Sequence, residues 1–238
     1  MNLPCFYEPF DEVDHLTLSE ATRHHMLQVL RMNNGEEFMI LNGSGMQVRC
    51  VLSNVSKRNC EFRLLDSHQL PQPTHSLHMA VSFTKNPARM EWFLEKATEI
   101  GIRSITPLIS KRSEKHHFKK ERFEKILISA MLQSQQGYLP RLNEATNFES
   151  VIRQAADHRW MAHCITDLPR VPFPAVYEQG APVQGDAMIL IGPEGDFTAE
   201  EVQQAEAMGF QSISLGQSRL RTETAALVAC TVYNSFFM

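Results

Sequence analysis

Cysteine is scarce in this sequence, and its distribution excludes two classes of site. The 238-residue chain has five cysteines, and no two of them form a CxxC motif: Cys5, Cys50, Cys60, Cys164 and Cys230. An odd number of widely spaced cysteines argues against a disulfide framework and against a cysteine zinc cluster. We therefore expect buried, reduced thiols and no metal site.

Long apolar runs are also missing. No stretch approaches the roughly 20 apolar residues of a membrane helix, and the N-terminus MNLPCFYEPF lacks the basic start and apolar run of a signal peptide. A large excess of positive charge is missing too, because 23 basic residues are balanced by 27 acidic ones. These absences predict a cytoplasmic protein with no membrane partner, whose binding to any nucleic acid depends on a local basic patch.

Three common catalytic motifs are absent as well. The chain has no P-loop and no G-x-S-x-G, and no G-x-G-x-x-G follows the first strand-like run of its second part. These absences weaken the interpretations as NTPase, hydrolase and dehydrogenase.

The first 70 residues are rich in short strand-like runs. Such runs occupy 36–42, 46–55 and 60–66, each followed by turn-forming residues, and a helix is predicted from about residue 19 to residue 31. This pattern predicts a small β-barrel domain over residues 1–70. The following proline-containing segment, 71–76, is predicted to be a linker.

Strands and helices alternate after the linker. The pattern predicts strands at 77–83, 104–109, 160–166, 187–191 and 212–215, and helices at 87–100, 119–135, 198–209 and 223–236. Alternation of this kind is typical of α/β domains with a mostly parallel sheet. We assign residues 77–238 to one such domain.

The first chemically informative segment is a glycine-containing loop after the fourth of these strands. It reads Ile191-Gly-Pro-Glu-Gly-Asp-Phe197. Glycine allows the backbone to approach a ligand closely, but Glu194 and Asp196 would repel a phosphate. The loop therefore suits a ligand without phosphate, such as an adenosine that carries a cationic sulfonium.

The second informative segment follows the last strand and reads Leu215-Gly-Gln-Ser-Arg-Leu-Arg-Thr-Glu-Thr-Ala-Ala226. A simple helix cap needs one threonine and no arginine. Arg219 and Arg221 lie two residues apart at a strand end, so both can face a cleft and bind a phosphate or an anionic base.

Together these segments resemble the bacterial small-subunit rRNA uracil-N3 methyltransferase family, which is part of the SPOUT superfamily. The resemblance covers almost the whole chain in order, because EKATEIG (95–101), KRS (111–113), IGPEG (191–195) and LRTETA (220–225) all match the family pattern. His25 and Val29-Leu30-Arg31 resemble its N-terminal PUA-like barrel. The chain departs from the pattern at Leu132 and Gln136, where many members carry charged residues.

The resemblance implies an α/β-knot (SPOUT, deep trefoil knot) methyltransferase domain with a parallel sheet, preceded by a small PUA-like β-barrel that helps to hold RNA. It implies S-adenosylmethionine as the cofactor, bound among loops at 82–86, 191–195 and 215–225. It implies a homodimer through the knot domain, and a 16S rRNA uridine in the assembled 30S subunit as the substrate.

The expected site residues follow from these matches. The cofactor-binding candidates are Leu190, Ile191, Gly192, Pro193, Glu194, Gly195, Leu215, Gly216, Leu220, Thr222, Thr224 and Ala225. The catalytic candidates are Arg219 and Arg221, for charge on the base or for phosphate, and Glu223, which either accepts a proton or orients an arginine. The RNA-binding candidates are Arg23, Arg31, Lys57, Arg58, Lys85, Lys111 and Arg112, the last two in the basic stretch 111–122.

Three alternatives stay open at this point. The first is a non-catalytic RNA-binding or ribosome-assembly module, which would bind no S-adenosylmethionine. The second is an enzyme that binds ATP or NAD through the glycine loop, which the acidic residues of that loop disfavour. The third alternative is a SPOUT methyltransferase that acts on another RNA.

Overall fold

The computed structural model describes residues 3–114, 119–176 and 185–237, which form two compact units. Unit 1 contains Met1–Gln72 and Met131–Leu139, and unit 2 contains Pro73–Ala130 and Pro140–Met238. The sequence pattern places everything after residue 76 in one domain, so it assigns Met131–Leu139 differently from the structure.

Unit 1 is built on a four-stranded sheet. Its strands are β1 (Cys5–Tyr7), β2 (Glu37–Leu41), β3 (Met46–Ser53) and β4 (Glu61–Gln69), in sequential order. The three strand-like runs of the sequence correspond to β2, β3 and β4, whereas β1, which pairs parallel to β2, was not predicted. Side chains from the sheet and the preceding helix form a core that includes Met26, Phe38, Ile40, Val48 and Leu52.

The helix predicted at 19–31 begins where the sequence places it but changes form. Helix α1 (Glu20–His24) is capped by Ser19, whose Oγ accepts a hydrogen bond from the backbone N–H of Thr22 at 3.2 Å. The chain continues as a π-helix, His25–Val29, in which the N–H of Leu30 bonds to the carbonyl of His25 at 2.9 Å. Arg31 then takes a left-handed conformation with a φ of 55°, which ends the helix.

The segment Met131–Leu139 completes unit 1. The N–H of Gly45 bonds to the carbonyl of Gly137 at 2.9 Å, and the N–H of Leu139 bonds to the carbonyl of Gly43 at 2.8 Å. Gly45 has a φ of +94°, and a Cβ on it would lie 2.5 Å from the ring of Tyr138. Only glycine fits this close approach without displacing the ring.

Unit 2 contains a parallel sheet of eight strands. They are β5 (His75–Val81), β6 (Ser104–Ile109), β7 (Arg141–Leu142), β8 (Thr146–Asn147), β9 (His158–Ala162), β10 (Val171–Pro172), β11 (Gly185–Ile191) and β12 (Gln211–Ser214). The order is β10-β12-β9-β11-β5-β6-β7, with β8 also paired to β6, and every pairing is parallel. The prediction of a mostly parallel sheet is confirmed. The two-residue strands β7, β8 and β10 were not predicted.

The remaining helices are α2 (Pro87–Ile100), α3 (Lys120–Ser134), α4 (Phe148–Val151), α5 (Ala199–Ala207) and α6 (Thr222–Ser235). Helix α2 begins after the cap Asn86, with proline in its first turn, and ends at Gly101, which has a φ of 102°. A capping box of Thr198 and Glu201 starts α5. No helix within the described ranges has the length and apolar character needed to cross a membrane.

Strand β11 lies at the centre of the sheet and is covered on both faces. Met188 and Leu190 belong to a core cluster with Phe148 of α4 and Val202 of α5. The intervening Ile189 is also fully buried. Such a continuous apolar run is typical of a strand that is covered on both faces of a parallel sheet.

The C-terminal helix α6 packs against α2, β5 and β11. Its Tyr233 is completely buried, and the Tyr233 hydroxyl donates a hydrogen bond to the carbonyl of Ser76 at 3.2 Å. The expectation that this apolar helix packs against the rest of the domain is confirmed. The threading of α6 through a knotted loop stays a prediction.

Candidate functional site

A cavity opens at the carboxyl ends of three adjacent strands of unit 2. Strand β9 lies between β12 and β11, so the loops that follow these strands meet at one edge of the sheet. Open parallel sheets bind their ligands at this edge. The cavity has a volume of about 260 Å³, close to the lower end of the range for small-molecule sites. We call it the strand-end cavity.

Most residues predicted from the two loops line this cavity. The predicted cofactor-binding residues among them are Ile191, Gly192, Pro193, Glu194, Leu215, Gly216, Leu220, Thr222 and Ala225, and both predicted arginines, Arg219 and Arg221, line it as well. Three other candidates lie outside the lining. Leu190 is buried within β11, Thr224 is half-buried in the first turn of α6, and the carbonyl of Gly195 accepts a hydrogen bond from Arg112 at 2.7 Å.

The loop after β11 turns sharply because of Asp196. This residue has a φ of 62°, and its carboxylate accepts hydrogen bonds from the N–H of Phe197 at 2.8 Å and from the N–H of Cys164 at 2.7 Å. A Cβ on Gly192 would lie 3.1 Å from the Phe197 ring, so glycine keeps this turn tight. Asp196 therefore holds the loops after β9 and β11 together, in addition to contributing negative charge.

The loop after β12 is joined to the same turn. The hydroxyl of Thr222, in the first turn of α6, donates a hydrogen bond to the carbonyl of Gly192 at 3.1 Å. The Arg219 guanidinium reaches the carbonyl of Glu194 at 3.4 Å. Gly216 has a φ of 129°, which gives the loop its turn after the strand. The two motifs that the sequence singled out therefore form one wall of the cavity.

The loop after β9 supplies residues that the sequence analysis did not assign to the site: Ala162, His163, Cys164 and Arg170. The sequence pattern extends this strand to residue 166, whereas β9 ends at Ala162. The loop residues were therefore taken for strand residues. Ligands bind beyond the carboxyl ends of parallel strands. With the end of β9 placed at Ala162, this rule would have assigned the following residues to the site.

His163 and Thr222 are the most buried polar residues of the cavity wall, each with only 4% of its surface exposed. Burial lowers the pKa of the His163 imidazole, the Arg170 guanidinium lowers it further, and the Asp196 carboxylate acts in the opposite direction. The balance of these effects favours the neutral form of the His163 imidazole.

The expectation of buried thiols holds for three cysteines and is wrong for one. Cys50, Cys60 and Cys230 are buried, and Cys5 is half-buried. Cys164 is exposed and lines the strand-end cavity, because it follows β9 in the loop that reaches the cavity.

Glu223 lies outside the lining of the cavity, although it is one turn from Arg219 and Arg221 in sequence. Its side chain is buried, and Oε1 lies 3.6 Å from Nε of Arg89 on α2. The sequence left open whether Glu223 accepts a proton or orients an arginine. In the structure Glu223 contacts an arginine, Arg89, which corresponds to the second of these possibilities.

The third predicted loop, 82–86, does not line the cavity either. Ser82 and Thr84 in this loop are buried. The N–H of Ser82 bonds to the carbonyl of Ile191 at 2.9 Å, and the Ser82 hydroxyl accepts a hydrogen bond from Ser113 at 3.2 Å. This loop therefore contacts the start of the glycine loop without lining the cavity.

Three of the RNA-binding candidates lie together in unit 1. Arg23, Lys57 and Arg58 line one depression on its surface, next to His24, Gln28 and one acidic residue, Glu20. Gln28 donates a hydrogen bond to the carbonyl of Lys57 at 2.8 Å, and the Arg23 guanidinium bonds to the carbonyl of Leu18 at 2.6 Å. Arg31 is exposed but is not in this depression.

The other RNA-binding candidates lie in unit 2 and have partners there. Lys85 pairs with Glu114, and Lys111 lies 4.0 Å from Glu200. Arg112 bonds to the carbonyl of Gly195, so it supports the glycine loop. Residues 115–118 of the basic stretch 111–122 lie outside the described residues.

Comparison with known proteins agrees with this geometry. A family model described as an RNA methyltransferase domain matches residues 71–234, and a model described as an RNA methyltransferase PUA domain matches residues 18–65. The first model covers more than half of the chain, including every residue that lines the strand-end cavity.

Similar proteins cover almost the whole chain. A ribosomal RNA small subunit methyltransferase E from Synechocystis is 29% identical over 92% of this chain and 73% of its own length. The crystal structure of a probable rRNA-methyltransferase from Porphyromonas gingivalis is 35% identical with a TM-score of 0.89, over 98% of both chains. A ribosomal RNA small subunit methyltransferase E from Neisseria gonorrhoeae, solved with S-adenosyl methionine, is 26% identical with a TM-score of 0.83, also over 98% of both chains. The chain belongs to the RNA methyltransferase family, in the group of the ribosomal RNA small subunit methyltransferases E.

Proposed function

We propose that this protein transfers a methyl group from S-adenosylmethionine to N3 of a uridine in 16S rRNA, within the assembled small ribosomal subunit. One observation carries the proposal: three loops at the ends of adjacent parallel strands enclose a cavity whose glycine loop bears Glu194 and Asp196. A loop of this charge favours a ligand with a cationic sulfonium over a phosphate. The Neisseria relative, solved with S-adenosyl methionine, supports the same ligand.

The cavity walls fit such a ligand. Ile191, Leu215, Leu220 and Ala225 offer apolar surface for a nucleoside, whereas Arg170 and the acidic residues of the loops can pair with a zwitterionic tail. The contact between Thr222 and Gly192 fixes the wall on one side. We assign the predicted cofactor-binding residues of the lining to this role and regard Leu190, Gly195 and Thr224 as supports behind it.

When bound, S-adenosylmethionine supplies an electrophilic methyl group on a sulfonium. The protein's residues have to hold the uracil in line with that group, and to stabilise the negative charge that develops on the base as its N3 proton passes to solvent water. We assign this to Arg219 and Arg221 at the mouth of the cavity. Arg219 is held by the carbonyl of Glu194. Glu223, in the first turn of α6, pairs with Arg89 of α2 and so holds the start of α6 against α2.

The substrate is proposed from the names of the relatives and from the surface of unit 1. Arg23, Lys57 and Arg58 form a basic depression in the part of the chain that matches the PUA domain model. Basic clusters of this kind bind the phosphates of RNA. The remaining candidates, Arg31, Lys85, Lys111 and Arg112, are proposed as weaker contacts, because three of them already have protein partners.

The protein is proposed to act as a homodimer through unit 2, in the cytoplasm. Trp92 on α2 has 43% of its surface exposed and Phe236 after α6 has 39%, and these two helices pack together. Exposed aromatic side chains on neighbouring elements are typical of interfaces. Sedimentation of the protein at twice its chain mass of 27.2 kDa would support the dimer, and sedimentation at the chain mass would contradict it.

The decisive experiment follows label from S-adenosylmethionine into small subunits that lack the modification, with wild type, Arg221→Ala and Arg153→Ala. We expect Arg221→Ala to lower kcat by about 100-fold, because one donor to a developing charge is lost, with little change in S-adenosylmethionine affinity. The control Arg153→Ala removes an exposed arginine that does not line the cavity and should behave as wild type.

Three results would contradict the proposal. Normal turnover by Arg221→Ala would remove this arginine from the chemistry. Label in a base other than uracil would overturn the substrate. Absence of S-adenosylmethionine binding by the wild-type protein in calorimetry would favour the RNA-binding module.

A further inference from the structure

Arg112, in the turn after β6, binds the glycine loop on both sides of Asp196. Its Nη1 group donates hydrogen bonds to the carbonyl of Gly195 at 2.7 Å and to the carbonyl of Phe197 at 3.4 Å. The stem of the arginine lies against the loop as well, because a Cβ added to Gly195 would be 3.4 Å from the Cδ atom of Arg112. One side chain therefore holds the two carbonyl groups that come directly before and after Asp196.

Asp196 has a backbone conformation that depends on support of this kind. Its φ of 62° lies in the left-handed region, which residues other than glycine seldom occupy, although aspartate does so more readily than most. Such conformations persist where the surrounding structure determines them. Within the loop itself, the N–H of Asp196 bonds to the carbonyl of Pro193 at 2.9 Å. The bonds from Arg112 add a constraint from a different segment of the chain.

The conformation of Asp196 determines where its carboxylate lies. Oδ1 accepts a hydrogen bond from the N–H of Phe197 at 2.8 Å, and Oδ2 accepts one from the N–H of Cys164 at 2.7 Å. Cys164 is in the loop after β9, so the second bond joins two walls of the strand-end cavity. A change of φ to the ordinary negative range would turn the Cβ atom relative to the flanking peptide groups and move the carboxylate away from Cys164.

We propose that Arg112 is a positioning residue for the methyl donor. It holds Asp196 in the left-handed conformation and so keeps the loop after β9 joined to the glycine loop before the ligand binds. A cavity formed in advance binds its ligand more tightly, because less conformational freedom is lost on binding. The proposal rests on the proposed function, because it takes the ligand to be S-adenosylmethionine.

The basic stretch 111–122 offers a competing role for Arg112, which is binding of an RNA phosphate. The two roles make different predictions. A phosphate contact contributes to the affinity for small subunits and to its dependence on salt. A positioning residue of the glycine loop affects binding of S-adenosylmethionine in the absence of any RNA.

A double-mutant cycle with Arg112→Ala and Asp196→Gly tests whether Arg112 acts through Asp196. Glycine adopts a positive φ readily and has no carboxylate to direct, so in this background Arg112 has no conformation left to hold. We expect Arg112→Ala alone to weaken binding of S-adenosylmethionine in calorimetry by about five- to tenfold. The double variant should bind within about twofold of Asp196→Gly.

Steady-state kinetics on small subunits that lack the modification gives a second readout. Arg112→Ala should raise the KM for S-adenosylmethionine and leave kcat and the KM for subunits within about twofold of wild type, because the arginine contacts neither the reacting atoms nor the RNA. The control Arg153→Ala removes an exposed arginine of unit 2 that does not line the cavity, and it should bind S-adenosylmethionine as wild type does.

Two results would overturn the proposal. Losses of affinity that multiply in the double variant would show that Arg112 does not act through Asp196. Unchanged binding of S-adenosylmethionine by Arg112→Ala, together with a smaller salt dependence of subunit binding, would make Arg112 an RNA contact. If the wild-type protein binds no S-adenosylmethionine, the proposed function itself fails.

Exchange of the Cys164 amide proton tests the same contact without any ligand. Because this N–H is bonded to Asp196, it should exchange slowly in the wild-type protein and in Arg153→Ala. It should exchange faster in Arg112→Ala, in which the carboxylate is held less firmly. The wild-type measurement also covers the case in which the variants fail to fold, since exchange at the rate of an unstructured amide would overturn the proposal.

Discussion

At the scale of single residues, His78 of β5 is half-buried and lies at the end of a chain of hydrogen bonds. Its Nε2 lies 2.7 Å from the hydroxyl of Thr106, and that hydroxyl accepts a hydrogen bond from the side chain of Asn143 at 2.9 Å. The Thr106 hydroxyl therefore donates to Nε2. Burial and, to a smaller extent, the nearby Arg141 guanidinium together lower the pKa of His78 from 6.5 to about 4.

This histidine should make the protein lose stability in mild acid. Between pH 6.5 and pH 4 the unfolded chain binds a proton at His78 that the folded chain does not bind. Stability is therefore unaffected by His78 above pH 6.5 and falls as the pH drops towards 4, by about 3 kcal/mol in total. We expect His78→Gln to show a smaller fall than wild type in urea unfolding at pH 7.5 and pH 4.5. The prediction is wrong if the two proteins lose equal stability, since His75 and His163 remain in both.

Individual residues show how much of the candidate site could be predicted from the sequence and how much could not. Gly192, Arg219 and Arg221 line the strand-end cavity, and the sequence points to them because they lie in loops that directly follow predicted strands. The sequence leaves open whether Cys164 and its neighbours, such as His163, line the same cavity, because an apolar run hides the end of their strand. The partner of Glu223, Arg89, lies far away in sequence, and no local pattern connects the two.

At the scale of elements, the sequence predicts best where it contains a start or stop signal. Asn86-Pro87 and Gly101 delimit α2, and the predicted bounds, 87–100, are those observed. The pattern fails for β1, β7, β8 and β10, which have two or three residues each. Such strands are too short to show an alternating pattern of apolar residues. They form because a strand that is distant in the sequence offers hydrogen bonds. The π-helix at His25–Val29 has no sequence signal either.

Helix α5 is fixed at its start by Glu201, which has only 6% of its surface exposed. Its carboxylate accepts hydrogen bonds from the N–H of Thr198 at 2.9 Å and from the N–H of Lys111 at 2.8 Å. It therefore holds both the capping box and the turn after β6, which carries Arg112 to the glycine loop.

Replacement of Glu201 by alanine should destabilise unit 2. Two backbone N–H groups would lose an ionised acceptor, so we expect a loss of about 2–4 kcal/mol in the free energy of unfolding. The matched control is Glu200→Ala in the same turn, whose side chain is 70% exposed and whose loss should cost less than about 0.5 kcal/mol. Chemical unfolding measures both, and equal effects of the two variants would show that the buried hydrogen bonds contribute nothing.

At the scale of the whole molecule, charge is distributed unevenly. The chain carries a net charge of −4, yet Arg23, Lys57 and Arg58 form a basic depression in unit 1. Long-range attraction to RNA therefore has to come from local clusters and not from the net charge. The parallel α/β class of the second unit and the small β domain before it follow from the periodicity of apolar residues, whereas the knot is implied only by the family resemblance. The assignment of Met131–Leu139 to unit 1 does not, because it depends on contacts between distant segments.

Binding to small ribosomal subunits should weaken as salt rises, and the double variant Lys57→Ala/Arg58→Ala should reduce this dependence. Each lost phosphate contact lowers the slope of log affinity against log salt by about 1. The control Arg63→Ala removes an exposed arginine of β4 outside the depression and should keep the wild-type slope. Filter binding at several salt concentrations measures the slopes. An unchanged slope in the double variant would exclude the depression from the RNA interface.

The segment Met131–Leu139, which completes unit 1, has a consequence for biosynthesis. Gly43 and Gly45 bond to Leu139 and Gly137, and the Tyr138 hydroxyl donates to the carbonyl of Leu70 at 2.9 Å. These partners are translated about a third of the chain later than the sheet they complete. The nascent N-terminal sheet therefore leaves the ribosome with these backbone groups unpaired, and it is finished only when residue 139 has emerged. Domains usually fold as units during synthesis, but here a fragment released at the linker would lack its last piece.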